Sequence, residues 1–139
     1  MRENKIRPVA LLVAMKNNKI LVIAGYDYHK KENFYRLIGG GIEFGETGKE
    51  ALKREVKEEI KAEIKNVKYL GLIENLFNYE GKGMHEIILV YKAEFKDKNI
   101  YKKEEMKILD SRHPQKAYWL NKKAVLKEKF YPEELRKLI

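Results

Sequence analysis

The chain has 139 residues, 44% of them hydrophobic and 37% charged, which is typical of a globular domain rather than a disordered segment. This length allows one domain with a sizeable core, so we expect a single domain over residues 1–139. The absence of cysteine excludes a disulfide framework and thiolate chemistry. The first uncharged run, residues 8–15, is too short to span a membrane, so the sequence predicts a cytoplasmic protein without a membrane partner.

The formal net charge of +9 favours acidic partners, such as phosphates, nucleic acid or anionic membranes. The 30 basic residues are scattered along the chain rather than clustered, as on an ordinary solvated surface. Charge alone therefore does not predict a nucleic-acid partner.

In chain order, the first pattern consists of two apolar runs, residues 7–15 and 19–25. They flank an Asn17-Asn18 pair, and this arrangement predicts a β-hairpin. The polar residues 26–33 predict a loop, and residues 34–38 a short strand that leads into a glycine-rich loop.

The segment 37–64 begins with four glycines within residues 39–45 and continues with a helical pattern. Apolar residues recur at helical spacing at Ala51, Leu52, Val56 and Ile60. Thr47 can cap the start of this helix, and Glu50, three residues later, completes a capping box.

Three acidic residues of this helix share one wall. At about 100° per residue, Glu55, Glu58 and Glu59 fall within about 100° of arc, beside the apolar stripe. Such crowding costs a few tenths of a kcal/mol per like-charged pair, roughly, in an isolated helix, and a solvated surface tolerates that cost. A bound cation would make this clustering of carboxylates favourable, and Mg²⁺ prefers carboxylate oxygens as ligands.

The second half of the chain continues with strand patterns. Residues 67–79 predict a strand that is bulged or broken near Gly71, and residues 80–83 a turn. Residues 85–95 are apolar on both faces, which is typical of a strand inside a sheet between helices.

The C-terminal part alternates polar and apolar segments. The predicted elements are a partly helical connector over 96–110, a strand over 116–120, a helix capped by Asn121 that continues to about Lys129, and a last helix over 133–138 that begins at Pro132. The whole order predicts an α+β protein with a mixed β-sheet packed between helices.

The segment around the acidic wall resembles a known signature. Gly40, five residues, Glu46, seven residues and then Arg54-Glu55-Val56-Lys57-Glu58-Glu59 is similar to the Nudix box. Three positions differ from the usual family pattern, and they are Ile38 for Pro, Lys61 for Gly and Ala62 for a larger aliphatic residue. The missing Gly concerns the end of the helix, where Gly eases a left-handed backbone, and leaves the carboxylates in place.

The resemblance implies an α/β/α sandwich that carries a Mg²⁺-dependent hydrolase, with Mn²⁺ as a substitute metal. It implies Glu55 and Glu59 as metal ligands, and Glu58 as a ligand or as a partner of the bound waters. It also implies that the carbonyl of Gly39 can reach the metal, since glycine allows a close backbone approach. Glu55 is the leading choice for the residue that deprotonates the water.

Two further box residues have supporting roles by the same resemblance: Arg54 braces the carboxylates, and Glu46 stabilises the loop. Outside the box, Glu86 begins an apolar strand, where a carboxylate without a partner is costly, and some relatives supply a late Glu to the metal. The alternative for Glu86 is a salt bridge, and His85 beside it is expected to be a packed strand-end residue.

The sequence says less about the substrate. By resemblance, Arg36 can meet a substrate phosphate, although it is also compatible with a surface arginine. Aromatic residues that could stack a base are Tyr26, Tyr28, Phe34, Phe77 and Tyr79. In the family that this segment resembles, a Tyr at about the position of Tyr79 marks diadenosine polyphosphate hydrolases. A Pro near the position of Leu76 marks the ADP-ribose enzymes of that family, so its absence here disfavours ADP-ribose.

The expected substrate is therefore a nucleoside triphosphate or a nucleoside diphosphate derivative. One alternative is a non-catalytic regulator that binds nucleotides or RNA, but such a protein would have no reason to keep three crowded carboxylates. Another is an isomerase on a related fold, whose relatives use a Cys that this chain lacks. The sequence leaves the oligomeric state open, a homodimer included.

Overall fold

The computed structural model describes residues 4–109 and 114–139. In that part of the chain the strands are β1 Ile6–Val13, β2 Met15–Lys16, β3 Lys19–Asp27, β4 Glu32–Arg36, β5 Ile38–Gly41, β6 Ile64–Tyr79, β7 Lys82–Phe95, β8 Glu105–Lys107, β9 Lys116–Asn121 and β10 Phe130–Tyr131. The helices are α1 Gly48–Ile60, α2 Lys122–Leu126 and two 3₁₀ helices, Lys98–Lys102 and Glu133–Lys137. No helix in these two ranges is both long enough and apolar enough to cross a membrane.

The strands form two mixed sheets. The first has the order β5-β1-β7-β6, with β1 and β7 parallel. The second has the order β10-β4-β3-β9-β8, with β2 paired to β3, and β10 runs parallel to β4. The predicted α+β class with mixed pairing between helices is confirmed, and the strands divide into two sheets rather than one.

The core lies on both faces of the central strands. In β1, Ala10 and Leu12 pack into the cluster that contains the apolar side of α1. The alternate residues Val9, Leu11 and Val13 pack into a second cluster with the C-terminal segments. Because successive side chains of a strand point to opposite faces, the sheet is covered on two sides, as a sandwich requires.

The predicted pairing of the two N-terminal apolar strands with each other is wrong. Only Met15 and Lys16 pair with the start of β3, around the Asn17-Asn18 turn. The chain changes sheets at Ala14, and β1 pairs with β5 and β7 instead. A strand with apolar residues on both faces gains most from a central position in a sheet, and the turn residues alone do not reveal that partner.

Strands extend into two predicted loops. Within residues 26–33, β3 extends to Asp27 and β4 begins at Glu32, and the carboxylate of Asp27 accepts N–H hydrogen bonds from His29 and Lys30 at 2.9 and 3.1 Å. The glycines 39–41 belong to β5, which pairs with β1. A Cβ on Gly39 would lie 2.1 Å from the carbonyl oxygen of Ala10, so glycine permits this pairing.

The remaining predictions differ mainly in length. The strand predicted at 67–79 begins at Ile64 and has register shifts on both sides of Lys68, and the strand at 85–95 begins at Lys82. The helix capped by Asn121 ends at Leu126, and the last helix is 3₁₀. The strands β8 and β10 were not predicted, because three and two residues carry no readable periodicity. The final residue of the predicted connector, Asp110, lies outside the described residues.

Candidate active site

The helix α1 fixes the acidic side chains against the glycine strand β5. Thr47 caps α1, and the capping box with Glu50 is present, as predicted. Ala51, Leu52 and Val56 are fully buried, so they set the rotation of α1 about its own axis. The helix ends at Ile60, and its C-cap Lys61 has the left-handed backbone (φ 52°) that the missing glycine would have eased.

Glu55 and Glu59 both contact β5. An oxygen of the Glu59 carboxylate, Oε1, accepts the N–H of Gly39 at 3.1 Å, and Glu59 is buried. The carboxylate of Glu55 lies so close to Gly40 that a Cβ on that glycine would be 2.5 Å from the carboxyl carbon. The second glycine therefore leaves the space that the Glu55 carboxylate occupies.

Arg54 connects the acids of the loop and the helix. Its guanidinium donates to both carboxylate oxygens of Glu46, at 2.8 and 2.9 Å, and to the carbonyl of Gly41 at 2.9 Å. It also donates to Glu55 at 3.0 Å and to Glu58 at 3.3 Å. The hydrogen bonds from Arg54 lower the pKa of Glu46 to about 2, so Glu46 stays ionised at neutral pH.

The three predicted acids do not all face the same space. Glu55 and Glu59 line a cavity of about 600 Å³, whereas Glu58 does not appear in its described lining. The side chain of Glu58 retains 41% of its accessible surface, against 16% for Glu55. Burial raises the pKa of Glu55, and the ion pair with Arg54 opposes this effect.

Glu86 reaches the same cavity from β7. Its side chain is only 13% exposed, and burial raises its pKa while neighbouring Arg7 opposes the rise. Arg7 Nη1 donates to Glu86 Oε2 at 3.3 Å, so the salt bridge that was the alternative for Glu86 is present, and both residues line the same cavity. His85 points to the opposite face of the strand and does not line this cavity in the described chain.

Arg36 extends into the cavity from the end of β4. Its Nη2 donates to Gln115 Oε1 at 2.8 Å. Removal from water lowers the pKa of Arg36, and the nearby Glu59 carboxylate opposes this. The arginine predicted to meet a phosphate is thus a cavity residue and not a surface one.

The far side of the cavity is aromatic. Phe34, Phe77, Tyr79 and Tyr131 line it. The Phe34 ring lies edge-on to that of Tyr79, with centroids 6.2 Å apart, and is tilted against that of Tyr131 at 5.6 Å. Two of the predicted stacking residues, Tyr26 and Tyr28, are exposed and lie outside the described lining of the cavity.

The donor set fits a hard divalent cation. Within residues 4–109 and 114–139, no three acidic or histidine side chains already converge as metal ligands. Yet Glu55, Glu59 and Glu86 present carboxylates to one cavity, and burial disfavours the ionised forms of Glu55 and Glu86. A cation would offset that cost, and small rotations of long side chains can bring carboxylates together.

Several cavity residues were not predicted. Arg7 interrupts the apolar start of β1, and this position could have signalled a functional arginine. Gln115 and Tyr131 come from distant parts of the chain, and no local pattern marks them.

The family model of the NUDIX domain matches residues 5–138. Among solved structures, the chain is similar to the MutT NUDIX hydrolase from Burkholderia pseudomallei, with 18% identity, 90% of this chain and 87% of that chain covered, and a TM-score of 0.65. It is similar to the mutator MutT protein from Bacillus halodurans, with 21% identity, 95% and 79% covered, and a TM-score of 0.64. For the E. coli ORF135 protein the identity is 20%, the coverage 96% and 86%, and the TM-score 0.61. The comparison with curated proteins finds no match.

Proposed function

Because this chain belongs to the Nudix family, whose pyrophosphohydrolases act on small nucleotide derivatives with a divalent metal, we propose that it hydrolyses the pyrophosphate linkage of a nucleoside triphosphate or of a nucleoside diphosphate derivative. The proposed metal is Mg²⁺, with Mn²⁺ as a substitute. One observation carries the proposal: Glu55, Glu59 and Glu86 open into the same cavity as Arg36 and an aromatic wall.

We assign the metal to the carboxylates of Glu55, Glu59 and Glu86. Glu58, which forms an ion pair with Arg54, would contact the waters of the metal, and the carbonyl of Gly39 is proposed as a further ligand because the N–H of the same residue donates to Glu59. When bound, a divalent metal neutralises charge on phosphoryl oxygens and lowers the pKa of water, so that hydroxide is available as the nucleophile. The family match spans nearly the whole chain, which supports treating it as one domain.

Glu55 is the proposed general base. Its Oε1 accepts from Arg54, so Oε2 remains for the proton of the attacking water. Arg54 fixes Glu55 and is itself fixed by two bonds to Glu46, so both residues position the base without touching substrate.

The substrate phosphates are assigned to Arg36 and the nucleoside to the aromatic wall. A planar guanidinium can bind two phosphate oxygens at once, and Gln115 holds that of Arg36 in the cavity. Phe34 and Tyr79 offer aromatic surface for a base or a ribose. The cavity volume of about 600 Å³ suits a small nucleotide.

The test begins with a screen of nucleoside triphosphates, dinucleoside polyphosphates and nucleotide sugars with Mg²⁺ or Mn²⁺, followed by identification of the cleaved bond. For the best substrate, Glu59→Gln is expected to abolish metal-dependent phosphate release. The glutamine oxygen can still accept the Gly39 N–H, so the fold should persist.

Glu63→Gln is the matched control. The side chain of Glu63, which follows α1, forms a long, exposed ion pair with Lys96, so turnover should be unchanged. Unchanged turnover in a folded Glu59→Gln variant would overturn the assignment. No hydrolysis by the wild type, together with salt-sensitive RNA binding, would favour a regulator instead.

A further inference from the structure

Arg7 lies opposite Glu86 on two adjacent parallel strands. The two residues are register neighbours of β1 and β7, and Arg7 Nη1 meets Glu86 Oε2 at 3.3 Å. This is a long hydrogen bond for an ion pair, whose usual length is about 2.7–2.9 Å. The Arg7 side chain is 34% exposed, so water can reach its other N–H groups.

The guanidinium of Arg7 also lies close to the glycine strand and to the acid of α1. A Cβ built on Gly41 would be 3.3 Å from Arg7 Nη2, so the guanidinium lies directly over that glycine. Burial raises the pKa of both Glu55 and Glu86, and the charge of Arg7 opposes that rise in each. The hydrogen bond of Arg7 goes to Glu86, and its charge also acts on Glu55.

A second cation makes this arrangement unusual. Arg36 lines the same cavity, and the charge of Arg7 disfavours the protonated form of Arg36. Glu59 and Glu86 offset this repulsion in the free protein, and a metal held by those carboxylates would leave the two arginines available to phosphoryl oxygens. A divalent metal on Glu86 would in turn compete with Arg7 for the same carboxylate.

We propose that Arg7 exchanges partners: it neutralises Glu86 in the free protein, yields that carboxylate to the divalent metal, and then binds a phosphoryl oxygen of the substrate. This inference rests on the proposed function, because it concerns the same cavity and metal. It adds a substrate-binding residue outside the Nudix box and couples metal binding to phosphate binding.

The first experiment measures Mn²⁺ binding to the nucleotide-free protein by electron paramagnetic resonance of the free ion. Arg7→Ala removes the competing cation, so we expect about three- to fivefold tighter Mn²⁺ binding, the size of a partly exposed ion pair. Arg7→Lys keeps a charge near Glu86 and should remain close to wild type. Lys5→Ala, which removes one exposed charge two residues away, controls for the general field and should have no effect.

A double-mutant cycle links the gain to Glu86. If Arg7 competes at that carboxylate, adding Arg7→Ala to a Glu86→Gln protein should not tighten Mn²⁺ binding. An equal gain with and without Glu86 would place the competition elsewhere and overturn the partner exchange.

The second experiment measures the binding of methylenediphosphonate, whose P–C–P bridge resists hydrolysis, at saturating Mn²⁺ by calorimetry. Arg7→Ala should weaken this binding about tenfold or more, the value of a charge-assisted hydrogen bond to phosphate. Arg7→Lys should lose less phosphonate affinity than Arg7→Ala, and the control Lys5→Ala should keep the wild-type affinity.

Opposite changes in metal and phosphate affinity support the proposal. Unchanged or weaker Mn²⁺ binding in folded Arg7→Ala, or unchanged phosphonate binding, would reduce Arg7 to a structural partner of Glu86. If Arg7→Ala does not fold, Arg7→Gln is judged by the same two measurements. Both experiments measure binding, so the two proposals can fail separately. If the wild type hydrolyses its substrate and Arg7→Ala binds Mn²⁺ and phosphonate like the wild type, only this inference fails. If the wild type hydrolyses no substrate, the proposed function fails.

Discussion

Glu59 on α1 accepts the backbone N–H of Gly39 on β5, with 3.1 Å between nitrogen and Oε1. This bond joins the acidic helix directly to the glycine strand. Gly39 has a φ of 149°, and β1 lies immediately behind it. The position of one carboxylate therefore depends on a backbone geometry that only glycine adopts without strain.

Gly39→Ala should destabilise the protein. The new Cβ would lie 2.1 Å from the carbonyl oxygen of Ala10, which is backbone and cannot rotate away. We expect the free energy of unfolding to fall by about 2–4 kcal/mol, from strain and overpacking. Urea unfolding followed by circular dichroism measures this change. A stability within error of wild type would mean that β5 and β1 separate more easily than their close pairing suggests.

Gly40→Ala should affect activity more than stability. The methyl group would meet a flexible carboxylate, that of Glu55, at 2.5 Å, so the side chain moves and the backbone does not. Displacing the proposed base by about 1 Å should lower kcat about tenfold to a hundredfold. Steady-state kinetics on the best substrate measure the loss. Gly83→Ala is the control, because its methyl group would make only an ordinary contact with Asn78.

The contrast between these glycines also shows what sequence could predict. The cap, the capping box and the buried face of α1 follow from spacing within one helix, so local pattern was sufficient for them. The partner of β1 and the inclusion of the glycines in a strand depend on residues far along the chain, and local pattern was insufficient. For the same reason, no local pattern predicts the hydrogen bond between Arg36 and Gln115, which are 79 positions apart in sequence.

Arg54→Ala should change how stability depends on pH. The hydrogen bonds from Arg54 lower the pKa of Glu46 from 4.5 to about 2. A carboxylate with a lowered pKa in the folded state adds stability above its unfolded pKa, and this stability is lost as the pH falls through its folded pKa. The wild type should therefore lose stability between pH 4.5 and about 2, and Arg54→Ala should lose less over the same interval.

The measurement for Arg54 is urea unfolding at a series of pH values across this interval. The control is Lys57→Ala: Lys57 is exposed in the last turn of α1, so its replacement removes the same charge without touching Glu46 and should keep the wild-type slope. Equal slopes for Arg54→Ala and the wild type would mean that Glu46 has another source of its low pKa.

Arg36→Lys should weaken substrate binding while leaving catalysis largely intact. Lysine keeps the positive charge but loses the planar fork that can bind two phosphate oxygens and Gln115 together. We expect KM to rise about tenfold, with a smaller change in kcat, because the proposed base and metal ligands remain in place. Arg136→Lys is the matched control: Arg136 donates to the carbonyls of Leu126 and Glu128, outside the cavity, so its replacement should alter stability but not KM. A fall in kcat at constant KM for Arg36→Lys would instead place Arg36 at the developing charge of the transition state.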